Sequence, residues 1–306
     1  MIGAGAGSLR APGSGNLADR KSFEALFAPL RAGLPDPRWF QIAALGAFLA
    51  FGATERAFAI APFDIAAIFA TAIATQWAMS AVFAIKFEAK SALITALSLT
   101  LLLRANEIWP LALAAFVAIA SKFLVRARGK HVFNPANIGI VAVTLLSGAA
   151  WTTPGQWGTA VWLAAIIAGA GFFVTYRASR LDVPLIFLGV FAALIFVRAL
   201  WLGDPLAIPM HRLQNGALIL FAFFMISDPK TTPDSFRLRA LFAAGTALLS
   251  YDFIYHFYRA DGVFYALALA CLVRPAIELS DHARRHQWSD PPARLSRPSV
   301  SATPAE

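Results

Sequence analysis

Apolar residues fall in ten runs separated by short polar breaks. They predict helices over residues 39–54, 61–85, 90–104, 107–125, 135–149, 157–176, 182–201, 212–227, 238–256 and 262–279. Many of these runs match the roughly 17–25 residues a helix needs to cross hydrocarbon. The expected fold class is therefore all-α, a polytopic membrane bundle of ten transmembrane helices. Residues 1–37 are rich in Gly, Ala, Ser and Arg and have no apolar core, so they are expected to be a disordered cytoplasmic tail. The transmembrane domain is expected over 38–280. Residues 281–306, rich in Arg, Pro and Ser, are expected to be a second disordered cytoplasmic tail. No cleavable signal peptide is read at the start of the chain.

Composition supports a membrane protein. Of the 306 residues, 58% are hydrophobic and 14% charged, and mean hydropathy is +0.64. Soluble domains run at about 45–50% apolar and about 25% charged. The net charge of +9 then reads as topology and contact with the lipid bilayer rather than nucleic-acid binding. One cysteine, Cys271, excludes an internal disulfide, and one thiolate cannot hold an iron–sulfur cluster.

Basic residues also set the orientation. With the N-terminus inside and ten spans, only Arg56, Arg104, Arg198, Arg212 and Arg259 of the 26 Lys and Arg residues lie outside. The positive-inside rule then puts both ends in the cytoplasm, and an odd number of spans would scramble the bias. Trp39, Trp109, Trp151, Trp157 and Trp201 fall near span ends, where an indole suits the interface.

Two loops, both expected inside, carry unusual chemistry. The first runs from Lys122 through Arg126, Arg128, Gly129, Lys130 and His131 to Asn134-Pro135, with Asn137 just beyond. Asn caps helices and Pro suits the first turn. The free N–H groups and positive dipole end of that helix can face an anion, with Lys130 and Arg128 adding charge. A basic loop lying on lipid phosphate, with Asn134 as an ordinary cap, fits the spacing equally well. The second loop is Ser227-Asp228-Pro229-Lys230-Thr231-Thr232-Pro233-Asp234. It reads either as a turn between helices or as a polar wall offering Asp228 and the threonine hydroxyls to a ligand or to the first loop. Asp64 and Asp182 are expected as helix caps. Asp252, beside Tyr251, Tyr255 and His256, is the candidate for an ion or proton path, against a simple bundle-facing hydrogen bond. The five histidines lack metal-ligand spacing, so no metal site is expected.

These motifs resemble the NqrB/RnfD family, the membrane subunits of the sodium-pumping NADH:quinone oxidoreductase and of the Rnf electron-transport complex. The matching pieces are Ser91-Ala-Leu-Ile-Thr-Ala-Leu97, the run from Ala118 to Phe133-Asn-Pro-Ala-Asn-Ile-Gly139, Val183-Pro-Leu185, Asn215-Gly-Ala-Leu218, Phe223-Phe-Met-Ile-Ser-Asp-Pro-Lys-Thr-Thr232 and Asp261-Gly-Val263. The resemblance implies a urea-channel-like bundle of two related halves, in the bacterial inner membrane, with flavin-linked electron transfer coupled to ion or proton movement. It also implies other electron-transport subunits as partners, and a role as an electron-carrying or non-catalytic subunit. In the family a threonine carries the flavin phosphate ester. Here Ala150 follows Ser147-Gly-Ala149, the link between the fifth and sixth helices is short, and Leu218 stands where Ser-Gly-Ala-Thr would end. The flavin expected is therefore FMN or riboflavin held non-covalently in a short, stand-alone type of homologue. Lys130, His131, Asn134 and Asn137 would position its anionic part or edge, and Ser227, Asp228, Lys230 and Thr231 would form the facing wall. The alternatives are a small-solute or ion channel on the same scaffold without redox chemistry, or a membrane helper of a biosynthetic cluster of the enediyne type.

Overall fold

A computed structural model describes residues 36–280 apart from 56, 57, 59 and 159. The chain divides into two units, Met1–Asp36 and Pro37–Glu306, and every element below belongs to the second. The expected tails, and Arg56, lie outside the described residues.

A helix occupies each of the ten expected positions. They are α1 (Pro37–Thr54), α2 (Pro62–Val82), α3 (Ala89–Leu102), α4 (Ile108–Leu124), α5 (Pro135–Leu146), α6 (Val161–Arg177), α7 (Asp182–Leu202), α9 (Gly216–Leu220, continuing as a π-helical turn over Phe221–Met225), α10 (Phe236–Tyr255) and α11 (Gly262–Ile277). Two of them, α2 and α7, are long and apolar enough by themselves to cross a membrane. Large apolar side chains cover the outer surface, among them Trp201 (86% exposed), Leu146 (78%) and Phe63 (77%). Such a surface suits lipid rather than water.

Three expectations about boundaries are corrected. The third helix stops at Leu102, and Leu103–Ala105 continue as strand β1, which pairs antiparallel with β4 (Ala150–Thr152). Arg104 causes the break: its guanidinium turns back onto the carbonyls of Thr100 and Leu103 and reaches Gln156 at 2.7 Å. The eighth span does not begin at 212. A separate short helix, α8 (Ala207–Leu213), precedes it, because Asn215 accepts from the N–H groups of Ala217 and Leu218 and starts a new helix. The basic loop before α5 is a small hairpin, β2 (Arg126–Ala127) with β3 (Lys130–His131). Its two turn residues, Arg128 and Gly129, both have positive φ (51° and 81°), as a two-residue primed turn requires.

The helices form two halves with one packing pattern. In the first, α1 packs on α3, α2 on α3 and α4, and α4 on α5. In the second, α6 packs on α9, α7 on α9 and α10, and α10 on α11. The halves join through α1 against α6 and α5 against α11. The β1 link after α3 therefore corresponds to the Ser227–Ser235 loop after α9. Close approach is achieved with small residues. A Cβ on Gly139 would lie 2.5 Å from the Ala114 carbonyl oxygen, and one on Gly171 would lie 2.4 Å from Phe223 Cβ. Between the halves, Phe224, Phe48, Trp157 and Phe58 stack edge to face in a column, with centroids 6.2, 6.4 and 5.1 Å apart.

Candidate functional site

The interhelical links fall into two groups by mutual contact. One end joins the α2–α3, α4–α5, α6–α7 and α9–α10 links to the residues after α11. These are the links expected in the cytoplasm, and this end is here the inner end. The other end joins β1 and β4 to the α8–α9 link, where Asn215 Nδ2 donates to the Pro154 carbonyl at 3.1 Å.

At the inner end the two motif loops lock together. Asn134 caps α5, its Oδ1 accepting from the Asn137 N–H at 3.0 Å, while its Nδ2 donates to the Met225 carbonyl at 3.2 Å. That carbonyl lies in the π turn, which shifts the backbone register at the end of α9. Asp228 organises its own loop. Its carboxylate accepts from the Lys230 N–H at 2.9 Å and its carbonyl from the hydroxyls of Thr231 and Thr232, an Asx-type turn. His131 Nε2 lies 3.5 Å from Asp228 Oδ2. Burial raises the Asp228 pKa, but the His131 hydrogen bond and charge outweigh it and hold the carboxyl below its ordinary value. Lys130, 4% exposed, sits 2.7 Å from Asp234 and 3.5 Å from Glu278, and donates to the Thr232 carbonyl. Arg180 reaches Thr232 Oγ1 at 3.2 Å and Asp234 at 3.4 Å. Burial, with the charge of Arg239 behind it, pushes Arg180 down to about 10. Arg274 joins Glu278 at 3.0 Å to the His131 carbonyl.

This places the expected residues in two classes. His131, Asn134, Ser227, Asp228 and Lys230 line one cleft. Lys130, Asn137 and Thr231 are buried in the surrounding lock, Asn137 donating to the Phe264 carbonyl at 3.0 Å. The cleft also takes Arg38 and Gln41 from α1 and Ser91, Thr95 and Ser98 from α3, which the motif reading missed. Their signal was the spacing of Ser91, Thr95 and Ser98, three hydroxyls on one face of an apolar helix. Asp252 stands apart from this cluster, in the last turn of α10, at the opposite end from Asp234. Its side chain is 46% exposed and pairs with His256. Asp64, in the first turn of α2, accepts from the Ala61 N–H at 3.2 Å. Asp182 begins α7 but gives its carboxylate to Arg239 at 2.6 Å rather than to a cap.

A second cavity, of about 310 Å³, lies at the outer end, lined by Pro154, His211, Arg212, Asn215, Leu218 and Phe264 among others.

Residues 144–285 match the NQR2, RnfD, RnfE family. The D component of the ion-translocating oxidoreductase complex of Escherichia coli O1:K1 / APEC is 35% identical to the chain over 134 residues, which is 44% of this chain and 36% of the relative. The same component from Escherichia coli O81 (strain ED1a) is 34% identical over the same lengths. The chain thus matches little more than a third of the length of these curated relatives. The NQR2, RnfD, RnfE match takes in the Ser227-Asp228-Pro229 loop, while the Asn134 cap precedes it.

The residues present decide how a flavin of the kind implied by the NqrB/RnfD resemblance could be held. Leu218 and Ala150 have no hydroxyl. A phosphate ester at these positions does not fit. Room for a non-covalent ring differs between the ends. The outer cavity, lined by Leu218 itself, reaches the roughly 300–1,000 Å³ of small-molecule sites. The inner cleft is smaller, about 90 Å³, and suits an anionic group better than a ring system.

Proposed function

We propose that this chain is the membrane subunit of an ion-translocating oxidoreductase of the NqrB/RnfD kind, with ten spans and both ends in the cytoplasm. It carries electrons with a flavin held without an ester bond, coupled to ion or proton movement through the bundle. The observation that carries this reading is the lock between Asn134, His131 and the Ser227–Asp228 loop, which brings the two family motifs to one end. The separation of the links into two contacting groups supports the orientation. Non-covalent FMN or riboflavin finds its room at the outer cavity. His131, Asn134 and Lys230 offer positive and donor groups to an anion at the inner one. A bound flavin would supply one- and two-electron chemistry, and the protein's part is to bind and orient it and keep water out. The test is visible absorbance of the purified protein after incubation with FMN or riboflavin. Binding that is released on denaturation is expected, and no bound flavin would falsify the redox reading.

The missing ester hydroxyls at positions 150 and 218 favour one second reading, a small-solute or ion channel on the same scaffold. Proteoliposomes that pass urea, sodium or protons faster than empty vesicles would support it. Flux equal to empty vesicles would remove it.

A further inference from the structure

The inner cleft contains more hydrogen-bond donors than its own structure uses. Thr95, Thr175 and Ser227 line it but spend their hydroxyl protons on the carbonyls of Ser91, Gly171 and Phe223. Ser98 does not. It is 4% exposed and lines the cleft, and its hydroxyl has no hydrogen-bond partner among the described residues. The side chains of Gln41 and Ser91 also line the cleft without a partner there. Lys230 Nζ makes no ion pair or hydrogen bond among the described residues, unlike Lys130, which is fully engaged. A buried polar group left unpaired is costly; Ser98 is one, and with the half-buried Gln41, Ser91 and Lys230 around the same space it points to something that binds between them.

Charge says which kind of group. Arg38 and Lys230 face the cleft against one lining carboxylate, Asp228, with Glu88 3.1 Å from Arg38, so basic groups outnumber acidic ones in its lining. The first turns of α1, α3 and α5 all contribute to its lining, through Arg38, Ser91 and Ala136. Each brings the positive end of a helix dipole. Burial, with the nearby charges of Lys130, Arg38 and Arg126, outweighs the opposing charge of Asp228 and holds Lys230 below the ordinary lysine value. An arriving anion relieves that potential.

We propose that the inner cleft is an oxyanion site that takes a phosphate group, with Lys230, Gln41, Ser91 and Ser98 as donors and Arg38 at its mouth. The phosphate comes either from a soluble phosphate compound or from an anionic lipid headgroup. The proposal rests on the inner end being the ligand-facing end and does not depend on bound flavin. The cavity volume of about 90 Å³ suits one such group.

The test uses the purified full chain in nanodiscs of neutral phosphatidylcholine, titrated with inorganic phosphate by calorimetry. Saturable binding is expected. Lys230→Gln should weaken it about tenfold or more, as loss of a charged hydrogen bond does. Ser98→Ala should weaken it several-fold, and Lys230→Arg should keep most of it. Melting temperature reports whether each variant folds. Repeating the titration with phosphatidylglycerol in the bilayer distinguishes the sources: competition identifies a lipid headgroup, and unchanged binding a soluble phosphate. No saturable binding to the parent protein, or equal binding in Lys230→Gln and Ser98→Ala, overturns the proposal whatever the flavin assay gives. A flavin-free protein that binds phosphate through Lys230 leaves it standing while the redox reading fails.

Discussion

Lys130 and Lys230 carry the same group into the same end of the bundle and meet opposite fates. Lys130 is enclosed by Asp234, Glu278 and the Thr232 carbonyl. Replacing it with Met leaves two buried carboxylates short of a cation. Breaking a buried pair in this way costs about 3–5 kcal/mol, so Lys130→Met should lower the melting temperature sharply in detergent. Lys230→Met, with no partner to strand, should leave it nearly unchanged. Asp228 gives a pH test. Its folded pKa lies below its ordinary value of 3.8, so its contribution to stability is present above that value and is lost as pH falls through the depressed one. Below about pH 4 the parent protein should lose more stability than Asp228→Asn does. Parallel melting curves across that range would show that the carboxylate is not the group responsible. From the sequence, the Asn-Pro and Asp-Pro signals marked both loops, but not which basic residue is spent. Both lysines look alike in a string of letters, because Asp234 and Glu278, which engage Lys130, sit far along the chain from it, and Asp234 is close in sequence to Lys230 instead.

Helices were legible where apolar runs are long and uninterrupted, as in α2 and α7. They were misplaced where one polar side chain overrides the run. Arg104 folds back on α3 and ends it as a strand, and Asn215 cuts α8 from α9. The π turn at Phe221–Met225 left no mark in the hydrophobic pattern, because all five residues are apolar and buried whichever register they take. It depends on tertiary packing, where α6 lies so close that Gly171 has no space for a Cβ beside Phe223. Gly171→Leu should force these helices apart and cost about 1–3 kcal/mol, as overpacking does. A thermal melt checks this, with Gly189→Leu as control, since nothing lies within 4 Å of that position.

Across the whole molecule, charge counting assigned links to sides and the contacts group them alike, though through fewer residues. The count used every Lys and Arg, whereas the inner end is held by few, chiefly Lys130, Arg180, Arg239 and Arg274. Orientation is open to direct measurement, because Cys271 is buried and is the only cysteine. Cysteines placed at Arg126 and at Asp204 in a Cys271→Ala background should differ in intact cells. A membrane-impermeant reagent should label position 204 and spare 126, and the reverse pattern would invert the topology. The correspondence of the two halves could not be read from residues. The β1 link and the Ser227–Ser235 loop share a place in the packing but no sequence.

The column of Phe224, Phe48, Trp157 and Phe58 has an electrical consequence. An ion leaving the inner cleft toward the outer face meets four aromatic rings in edge-to-face contact, none of which replaces a hydration shell. The column is thus expected to act as an insulating plug that lets the bundle sit in an energised membrane without discharging it. Proteoliposomes holding a potassium diffusion potential should keep it with the parent protein and lose it faster with Trp157→Ala. Equal decay in the two would place the dielectric barrier elsewhere.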